Sequence, residues 1–382
     1  MSTVKPRVLV VGGGLTSAAL ANLLAGRNLS LTVWDKARVP GGRMTTFSAP
    51  GGLAGTVDLG PQRITASPGY PHQAWYSQLA AAGLLRQVNT ESDRPSEYES
   101  REELGVGCGA GVEVCSSRGA TVALDDVQWA EEETGLSLVR GQNYVAPGGV
   151  QAVVEHLFQK AGCRVHSRRP LSRLEVRGTA WAASSREGSW DEFDCVVTTL
   201  PAPQLLSTPP AAEGSIAGDW LDAVRAAQPD NLALLQTVEY TAVFCLGLFF
   251  AERLELPWQC RYFPRHPVVR SVNQQQTTSL AVQCQVGFSE QNKGRTKQEV
   301  GAEVEEAVRQ LLPGLPAPAA TLPHKWRYSQ TSRPFPGGPG CVSLLSSPSL
   351  IAAGDSFTHS NMDGCLHSAS VTAQTLTSKL NL

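Results

Sequence analysis

A glycine turn close to the N-terminus constrains the fold of this chain more than any other feature. Residues 7–11 are apolar without alternation, which predicts a buried strand of a parallel sheet. The turn Gly12-Gly13-Gly14 follows at once, and residues 15–25 then carry apolar side chains at helical spacing. Because residues 29–34 predict a second strand, the N-terminus predicts a right-handed βαβ unit.

The spacing inside this unit is typical of a dinucleotide-binding loop. Gly12 permits a tight turn, Gly14 lets the backbone approach a pyrophosphate, and the helix start offers free N–H groups. Asp35 ends the second strand 23 positions after Gly12, where a carboxylate can accept hydrogen bonds from ribose hydroxyls. Ser17 replaces the usual third glycine, a mild departure. A plain turn is the alternative, but the strand, helix and acidic residue in register favour dinucleotide binding.

Two later motifs are candidates for the same ligand. In Gly41-Gly42-Arg43-Met44 the glycines let backbone run beside a cofactor, and Arg43 can pair with a phosphate. Gly354-Asp355 follows a buried run, and residues 361–364 open the last predicted helix, whose N-terminus can stabilise negative charge. A surface turn and an ordinary capped helix are the alternatives. The late position of the second motif favours function, since an FAD fold needs a segment that returns to the first loop.

The rest of the pattern predicts an α/β chain of two interleaved domains. We assign residues 1–85, 144–215 and 345–382 to a Rossmann-type FAD-binding domain. Residues 86–143 and 216–344 are assigned to an α+β substrate domain on a mixed or antiparallel sheet, with strands predicted at 237–250, 268–273 and 280–286 and a helix at 297–312.

Charge is distributed unevenly along the chain. Residues 91–133 contain 12 acidic residues and three arginines, whereas the remainder carries +7 within an overall net charge of −2. A mildly basic body suits an anionic dinucleotide, although the signal is weak. We interpret residues 91–140 as an acidic loop or insert. No Lys/Arg stripe is interleaved with aromatic residues, so no nucleic-acid partner is predicted.

Composition excludes several other classes of protein. Hydrophobic residues make up 42% and charged residues 17%, as in a globular enzyme. The nine cysteines are scattered without a Cys-x-x-Cys pair, so neither a metal site nor a disulfide framework is predicted. No apolar run is long enough to span a membrane, and the N-terminal apolar run is too short for a secretory signal. These features favour a cytoplasmic protein.

Several motifs together carry a family resemblance: the Gly-x-Gly loop, Trp34-Asp35-Lys36, residues 41–46, Asp58-Leu59-Gly60-x-Gln62, Lys325-Trp326-Arg327, Gly354-Asp355 and residues 360–365. This set resembles the renalase family, within the broader group of amine-oxidase-like flavoproteins. The resemblance covers almost the whole chain except residues 91–140, a segment that is longer here than in the family.

The resemblance implies a non-covalently bound FAD. With the loops described above, it gives these candidate cofactor-binding residues: Gly12, Gly14, Thr16, Asp35, Lys36, Gly42, Arg43, Gly60, Gln62, Arg63, Gly354, Asp355, Asn361, Met362, Asp363 and Gly364.

The implied reaction oxidises isomeric dihydro-NAD(P), in its 2- or 6-dihydro or α-anomeric form, to β-NAD(P)+, with oxygen reduced to hydrogen peroxide. We expect a monomer, and the resemblance leaves secretion open. Gln283 aligns with a histidine of the vertebrate family members, so a role for that histidine is in doubt.

Hydride donation to a flavin requires ring stacking but no proton abstraction, so no catalytic base is predicted. Candidates for the walls of the substrate pocket are Asn361, Trp258, Tyr262 and Trp326. Amine oxidation is the main alternative reaction, but amine oxidases of this fold usually present an aromatic side chain where Asn361 stands. A non-enzymatic secreted signalling protein that retains the flavin fold is the alternative of another class.

Overall fold

A computed structural model describes residues 5–67, 71–88, 112–116, 142–185, 188–207, 215–256, 258–263 and 265–382. Its strands are β1 Arg7–Val11, β2 Ser30–Trp34, β3 Thr46–Ser48, β4 Thr56–Asp58, β5 Ile64–Ala66, β6 Arg86–Val88, β7 Val112–Ser116, β8 Gln142–Val145, β9 Val165–His166, β10 Arg173–Arg177, β11 Ala180–Ser184, β12 Trp190–Phe193, β13 Cys195–Thr198, β14 Glu239–Phe249, β15 Trp258–Tyr262, β16 Val269–Gln276, β17 Ser279–Cys284, β18 Ala320–Arg333, β19 Cys341–Ser346 and β20 Ser349–Ala353. Its helices are α1 Leu15–Leu23, α2 Gln73–Ala81, α3 Gln151–Lys160, α4 Ala202–Leu205, α5 Trp220–Ala227, α6 Pro229–Gln236, α7 Val286–Gln291, α8 Lys297–Leu311 and α9 Met362–Leu380.

The first and last parts of the chain share one sheet, in the order β19-β20-β13-β1-β2-β9. Its strands are parallel except for β19, which pairs antiparallel with β20. On one face, Val8 and Val10 pack in a core with α1, α3 and α9. On the other, Leu9 packs with residues of α5 and α6. Burial on both faces explains the continuous apolar strands and confirms the predicted Rossmann-type architecture.

A second sheet is antiparallel throughout, in the order β18-β14-β17-β16-β15-β7. One face packs against Val300, Val304 and Val308 of α8, which carries the apolar stripe seen in the sequence. The opposite face packs against Val57 of β4 and against Leu59, which directly follows the β3–β4 hairpin. The second sheet is therefore held against the loops that leave the parallel sheet.

Among the elements that the sequence did not predict are two strands of the second sheet, β7 and β18. Strand β7 lies within the segment predicted to be a loop, where its backbone pairs with β15; the rest of that segment lies outside the described residues. Strand β18 was not predicted, because its residues have no apolar alternation and many are polar. It forms because β14 provides a partner along its whole length.

Helices α5 and α6 pack on the parallel sheet, although they fall within the segment assigned to the substrate domain. Trp220 and Leu235 belong to the same buried cluster as Leu9 of β1. This packing favours a boundary after α6 rather than at residue 216. The seven cysteines with described side chains are free thiols. In the described part of the chain, no helix has both the length and the apolar character needed to cross a membrane.

Candidate active site

The glycine turn and Asp35 are joined directly. Gly12 has φ of +103°, which the turn between β1 and α1 requires. The carboxylate of Asp35, 8% exposed, accepts hydrogen bonds from the N–H of Gly13 at 2.5 Å and of Ala37 at 2.6 Å. These bonds fix the carboxylate at the carboxyl end of β2, beside the start of α1, as the sequence predicted.

The second glycine motif lies against the first. The N–H of Gly41 donates to the carbonyl of Gly13 at 2.8 Å. A Cβ on Gly42 would lie 3.3 Å from the Cα of Gly14, so the two loops are in contact. A Cβ on Gly14 itself would meet no atom within 4 Å. The helix start therefore faces open space that is bordered by glycine backbone.

Arg43 and Asp355 join this loop to the end of the chain. Two hydrogen bonds connect them, Nη1 to Oδ2 at 2.6 Å and Nη2 to Oδ1 at 2.5 Å. Arg43 also donates to the carbonyl of Ser329 in β18 at 3.0 Å. Gly354, with φ of +111°, ends β20 and turns Asp355 towards the arginine. One ion pair thus connects the first glycine loops, the last strand of the parallel sheet and the edge strand of the second sheet.

Three further hydroxyl groups donate to the carboxylate of Asp355. They come from Tyr240 at 2.9 Å, Thr331 at 3.1 Å and Ser360. Burial of Asp355 favours its neutral form, but the charge and hydrogen bonds of Arg43, followed by the hydroxyl donors, hold its pKa at about 2. The pKa of Tyr240 is raised by burial and by the Asp355 charge, so the phenol remains a donor. Asp355 is therefore an ionised, almost fully buried centre of a polar network.

Thr16 faces this network from α1. Its side chain, 5% exposed, hydrogen-bonds to the thiol of Cys365 in α9. Burial and the nearby charge of Asp355 raise the pKa of that thiol to about 11, so Cys365 is a neutral packing group. The starts of α1 and α9 therefore lie side by side, as the sequence motifs predicted.

Residues 361–364 contribute to the site in different ways. Asn361 caps α9, since its Oδ1 accepts from the N–H of Gly364 at 2.7 Å. Met362 is 6% exposed in the core beneath the parallel sheet. The carboxylate of Asp363 is completely buried and accepts from the Tyr76 hydroxyl at 2.8 Å. The side chains of Met362 and Asp363 are thus engaged within the protein, whereas the side chain of Asn361 lies at the start of the helix.

Gly60 and Gln62 follow β4, and Gly60 packs against the backbone of Arg43. A Cβ on Gly60 would collide with the carbonyl oxygen of Arg43, so glycine is required there for packing. Gln283 donates from Nε2 to the Gly60 carbonyl at 2.9 Å. The Nε2 of Gln62 is buried without a hydrogen-bond partner among the described residues. Arg63 is half-buried and Lys36 is exposed at the surface.

Of the predicted aromatic walls, the two with described side chains, Trp258 and Trp326, lie on opposite faces of the second sheet. Trp326 donates from Nε1 to the carbonyl of Leu59 at 2.8 Å and touches the ring of Phe47, on the side that faces the glycine loops. Trp258 is 3% exposed in the core cluster that packs on α8, on the other face of the sheet. The side chain of Tyr262 lies outside the described residues. Of the three aromatic candidates, only Trp326 is shown beside the cofactor-binding loops.

Sequence reasoning missed Tyr240 and His324. Tyr240 lies in an apolar strand, and no local pattern marks its contact with Asp355. His324 directly precedes the Lys-Trp-Arg motif, and its ring lies 4.2 Å from that of Trp326, centroid to centroid. Burial, followed by the charge of Lys297, lowers its pKa to about 4, and its Nε2 has no hydrogen-bond partner among the described residues.

A βαβ unit whose glycine turn meets a returning Gly-Asp segment defines the class of flavin-dependent oxidoreductases. Residues 73–377 match the family described as flavin containing amine oxidoreductase, and residues 10–79 match the NAD(P)-binding Rossmann-like domain. Renalase from Mus musculus is 31% identical over 380 residues, which cover 95% of this chain and 96% of that protein. The chain belongs to the flavin containing amine oxidoreductase family and, within it, to the renalases.

Two other similarities are more distant. A crystal structure of a protein named as a protoporphyrinogen oxidase from Exiguobacterium sp. 255-15 superimposes with a TM-score of 0.64 and 14% identity, covering both chains completely. At this identity it shows the shared fold alone. DNA mismatch repair protein MutL from Myxococcus xanthus is 29% identical over 200 residues, which cover 51% of this chain but only 29% of that protein.

The residues present fit FAD, the cofactor that the family implies. The open space at Gly14 adjoins the N-terminus of α1, which suits a pyrophosphate. The unsatisfied Nε2 of Gln62 requires an acceptor that the described protein atoms do not supply. The family and the fit of these residues identify the chain as an FAD-dependent oxidoreductase.

Proposed function

We propose that this chain oxidises isomeric dihydro-NAD(P), the 2- and 6-dihydro forms and the α-anomer, to β-NAD(P)+, and that oxygen is reduced to hydrogen peroxide. The observation that carries the proposal is a polar residue, Asn361, at the start of α9. Amine oxidases of this fold usually place an aromatic side chain there as half of a cage around the amine. The 31% identity to renalase supports the same choice.

The amide of Asn361 is oriented by the helix that it caps. Its Oδ1 is committed to the Gly364 N–H, and its Nδ2 has no hydrogen-bond partner among the described residues. An amide N–H fixed in this way can donate to the carboxamide oxygen of a nicotinamide ring. An apolar amine offers no such acceptor, so the residue favours the dinucleotide substrate.

The remaining residues would hold the cofactor. Gly12, Gly14 and the start of α1 would bind the pyrophosphate, Asp35 the ribose hydroxyls, and Asp355 the sugar-alcohol chain. Arg43 would balance phosphate charge while it keeps Asp355 ionised. When bound, FAD supplies the hydride acceptor and is reoxidised by oxygen.

The protein's own contribution to the reaction is positioning. A dihydronicotinamide that loses a hydride becomes an aromatic pyridinium without losing a proton to a base. Oxygen takes up the two electrons and two protons, of which one comes from the hydride and one from solvent. The chain must therefore bind the ring, orient it and exclude water, which Trp326 and the amides of Gln62 and Asn361 can do.

The test is an anaerobic titration of the FAD-loaded protein that follows bleaching of the flavin absorbance. The 2-dihydro, 6-dihydro and α-anomeric substrates should each bleach it stoichiometrically, and readmitted oxygen should restore the colour and yield one peroxide per substrate. Ordinary β-NADH and a monoamine serve as comparisons. Bleaching by the monoamine alone would establish amine oxidation, and a purified protein without flavin colour would favour the non-enzymatic alternative.

A further inference from the structure

The Lys325-Trp326-Arg327 motif presents different chemistry on the two faces of β18. Trp326 lies towards the glycine loops, where its indole bonds to Leu59. Lys325 and Arg327 instead line a cleft of about 370 Å³ on the side of α7, together with Tyr240, Ala242, Glu290 and Lys293. The cofactor crevice uses Trp326, and it leaves both cations of the motif without a role.

This cleft continues into a second one. The neighbouring space, about 470 Å³, shares Tyr240, Glu290, Lys293 and Arg327 with the first and extends to Tyr328 and Ser332. The two form one concave surface of the size that small-molecule ligands occupy. Tyr240 connects it to the cofactor site, because its hydroxyl bonds to Asp355 while its ring lines the cleft.

The acidic residues in the wall are already compensated. Glu290 accepts the N–H of Ala242 at 2.6 Å and pairs with Lys293 at 3.3 Å. Glu239, at the far end of the cleft, pairs with Arg333 at 3.2 Å. Glu290 also attracts Lys325, whereas Arg327 forms an ion pair with neither of these two carboxylates.

In the described part of the chain, neither cation of the Lys-Trp-Arg motif forms an ion pair with a carboxylate. Arg327 is exposed and forms no hydrogen bond or ion pair within the described part of the chain. Lys325 donates to the carbonyl of Lys293 and lies 5.1 Å from the centre of the Phe244 ring, so its ammonium group is held in place. Burial and then repulsion between Lys325 and Arg327 lower the pKa of Lys325, and the attraction of Glu290 offsets only part of this effect. An anion between them would relieve that repulsion.

We propose that this cleft is a phosphate-binding subsite for an adenine nucleotide, with Arg327 and Lys325 as ligands of the phosphate oxygens. An arginine offers a planar fork of donors and a lysine a point charge, a combination that suits a phosphate. Tyr240 and Tyr328, whose ring centroids lie 5.8 Å apart, provide aromatic surface for the base. The nucleotide is either the adenosine half of a dinucleotide substrate or a separate nucleotide.

Calorimetric titration of the FAD-loaded protein with ADP tests the subsite, because bound FAD excludes ADP from the cofactor loops. Arg327→Gln should weaken ADP binding at least about tenfold, and adding Lys325→Met should abolish it. Arg309→Gln, which changes an arginine paired with Glu306 on α8, is the matched control and should bind ADP as the unchanged protein does. Binding should also weaken as salt concentration rises.

Equal ADP affinity in the Arg327→Gln protein, the double variant and the unchanged protein would overturn the proposal, as would the absence of ADP binding to the unchanged protein. Both variants keep the packing of the cleft, because the side chain at position 327 is exposed and a methionine at position 325 retains the contact with Phe244. An unaltered thermal unfolding midpoint would show that they fold. The titration requires no turnover, so its outcome is separate from that of the proposed reaction.

Kinetic measurements distinguish the two sources of the nucleotide. If the subsite holds the adenosine half of the substrate, Arg327→Gln raises KM for dihydronicotinamide dinucleotides about tenfold and leaves KM for the corresponding mononucleotides unchanged. If a separate nucleotide binds, neither KM changes although ADP affinity falls. Each result supports the phosphate subsite and assigns it to one of the two ligands.

Discussion

Arg43 and Asp355 are 312 positions apart in the chain and form a two-pronged ion pair at the point where the two sheets meet. The pair joins the second glycine loop to the end of β20. The carboxylate of Asp355 also accepts hydrogen bonds from Tyr240 of β14 and Thr331 of β18. The same contact therefore joins the glycine loops and the parallel sheet to the second sheet.

The first prediction concerns this pair. Asp355→Asn should destabilise the protein by about 3 kcal/mol, because it leaves Arg43 without its counter-charge in a mostly buried position. FAD retention should fall with it, as measured by urea unfolding and by flavin content after gel filtration. Arg225→Gln, which breaks an exposed pair with Asp222, should alter neither quantity. An Asp355→Asn protein with unchanged unfolding free energy and unchanged flavin content would show that the ion pair contributes to neither.

The second prediction separates folding from cofactor binding. Gly14→Ala should leave the stability of the FAD-free protein unchanged, because the added methyl group meets no protein atom and Gly14 has an ordinary backbone φ of −86°. The methyl group projects into the space where the pyrophosphate is expected, so FAD affinity should fall at least about tenfold. Fluorescence titration with FAD measures this.

Gly287→Ala is the control, since its methyl group also meets open space but lies on α7, outside the glycine loops. It should bind FAD normally. Undiminished FAD affinity in the Gly14→Ala protein would mean that the cofactor does not approach the first glycine turn.

The third prediction distinguishes the capping role of Asn361 from its ligand role. Asn361→Ala should cost about 1 kcal/mol in unfolding free energy, because the Gly364 N–H loses its acceptor. Asn361→Asp keeps the acceptor and the stability but removes the amide donor. It should therefore slow anaerobic flavin bleaching by isomeric dihydro-NAD(P) about tenfold. Bleaching at an unchanged rate in the aspartate variant would rule out the proposed contact with the carboxamide.

The fourth prediction concerns pH. His324 has a pKa of about 4 in the folded protein against 6.5 for an ordinary histidine, because burial and then Lys297 disfavour its charged form. Above pH 6.5 His324 is neutral in both the folded and the unfolded protein, so it does not change the free energy of unfolding. Below pH 6.5 the unfolded chain binds a proton before the folded protein does, so the free energy of unfolding falls as the pH falls from 6.5 to about 4. The loss should be on the order of 3 kcal/mol.

His324→Phe should remove that part of the pH dependence, while packing against Trp326 is preserved. The free energy of unfolding of both proteins should be measured in urea at about pH 7.5 and about pH 4.5, which lie on either side of the ordinary histidine pKa. An identical loss of stability in the two proteins would show that other groups govern the acid sensitivity.

Much of the cofactor site follows from local sequence. The glycine turn, Asp35 and the Gly354-Asp355 segment were identifiable because each needs a particular backbone conformation or strand end, and short-range residue choice encodes both. The structure brings all three together. It also shows that Gly60 and Gly364 are required for packing, because a Cβ at either position would collide with a backbone carbonyl oxygen.

Other features depended on distant partners. Strand β18 lacks a strand pattern and forms against β14, and Tyr240 and Thr331 reach Asp355 only because that pairing places them there. Trp258 and Trp326 look equally suitable as pocket walls in the sequence, yet the sheet separates them onto opposite faces.

The sequence by itself determined the βαβ unit, the class of cofactor and the return of the C-terminal segment, because periodicity and turn chemistry act over a few residues. Only the tertiary structure decided which side chains surround Asp355, which tryptophan faces the crevice, and that Lys325 and Arg327 share a cleft. Those relationships arise from strand pairing between segments far apart in the chain, and no local pattern records them.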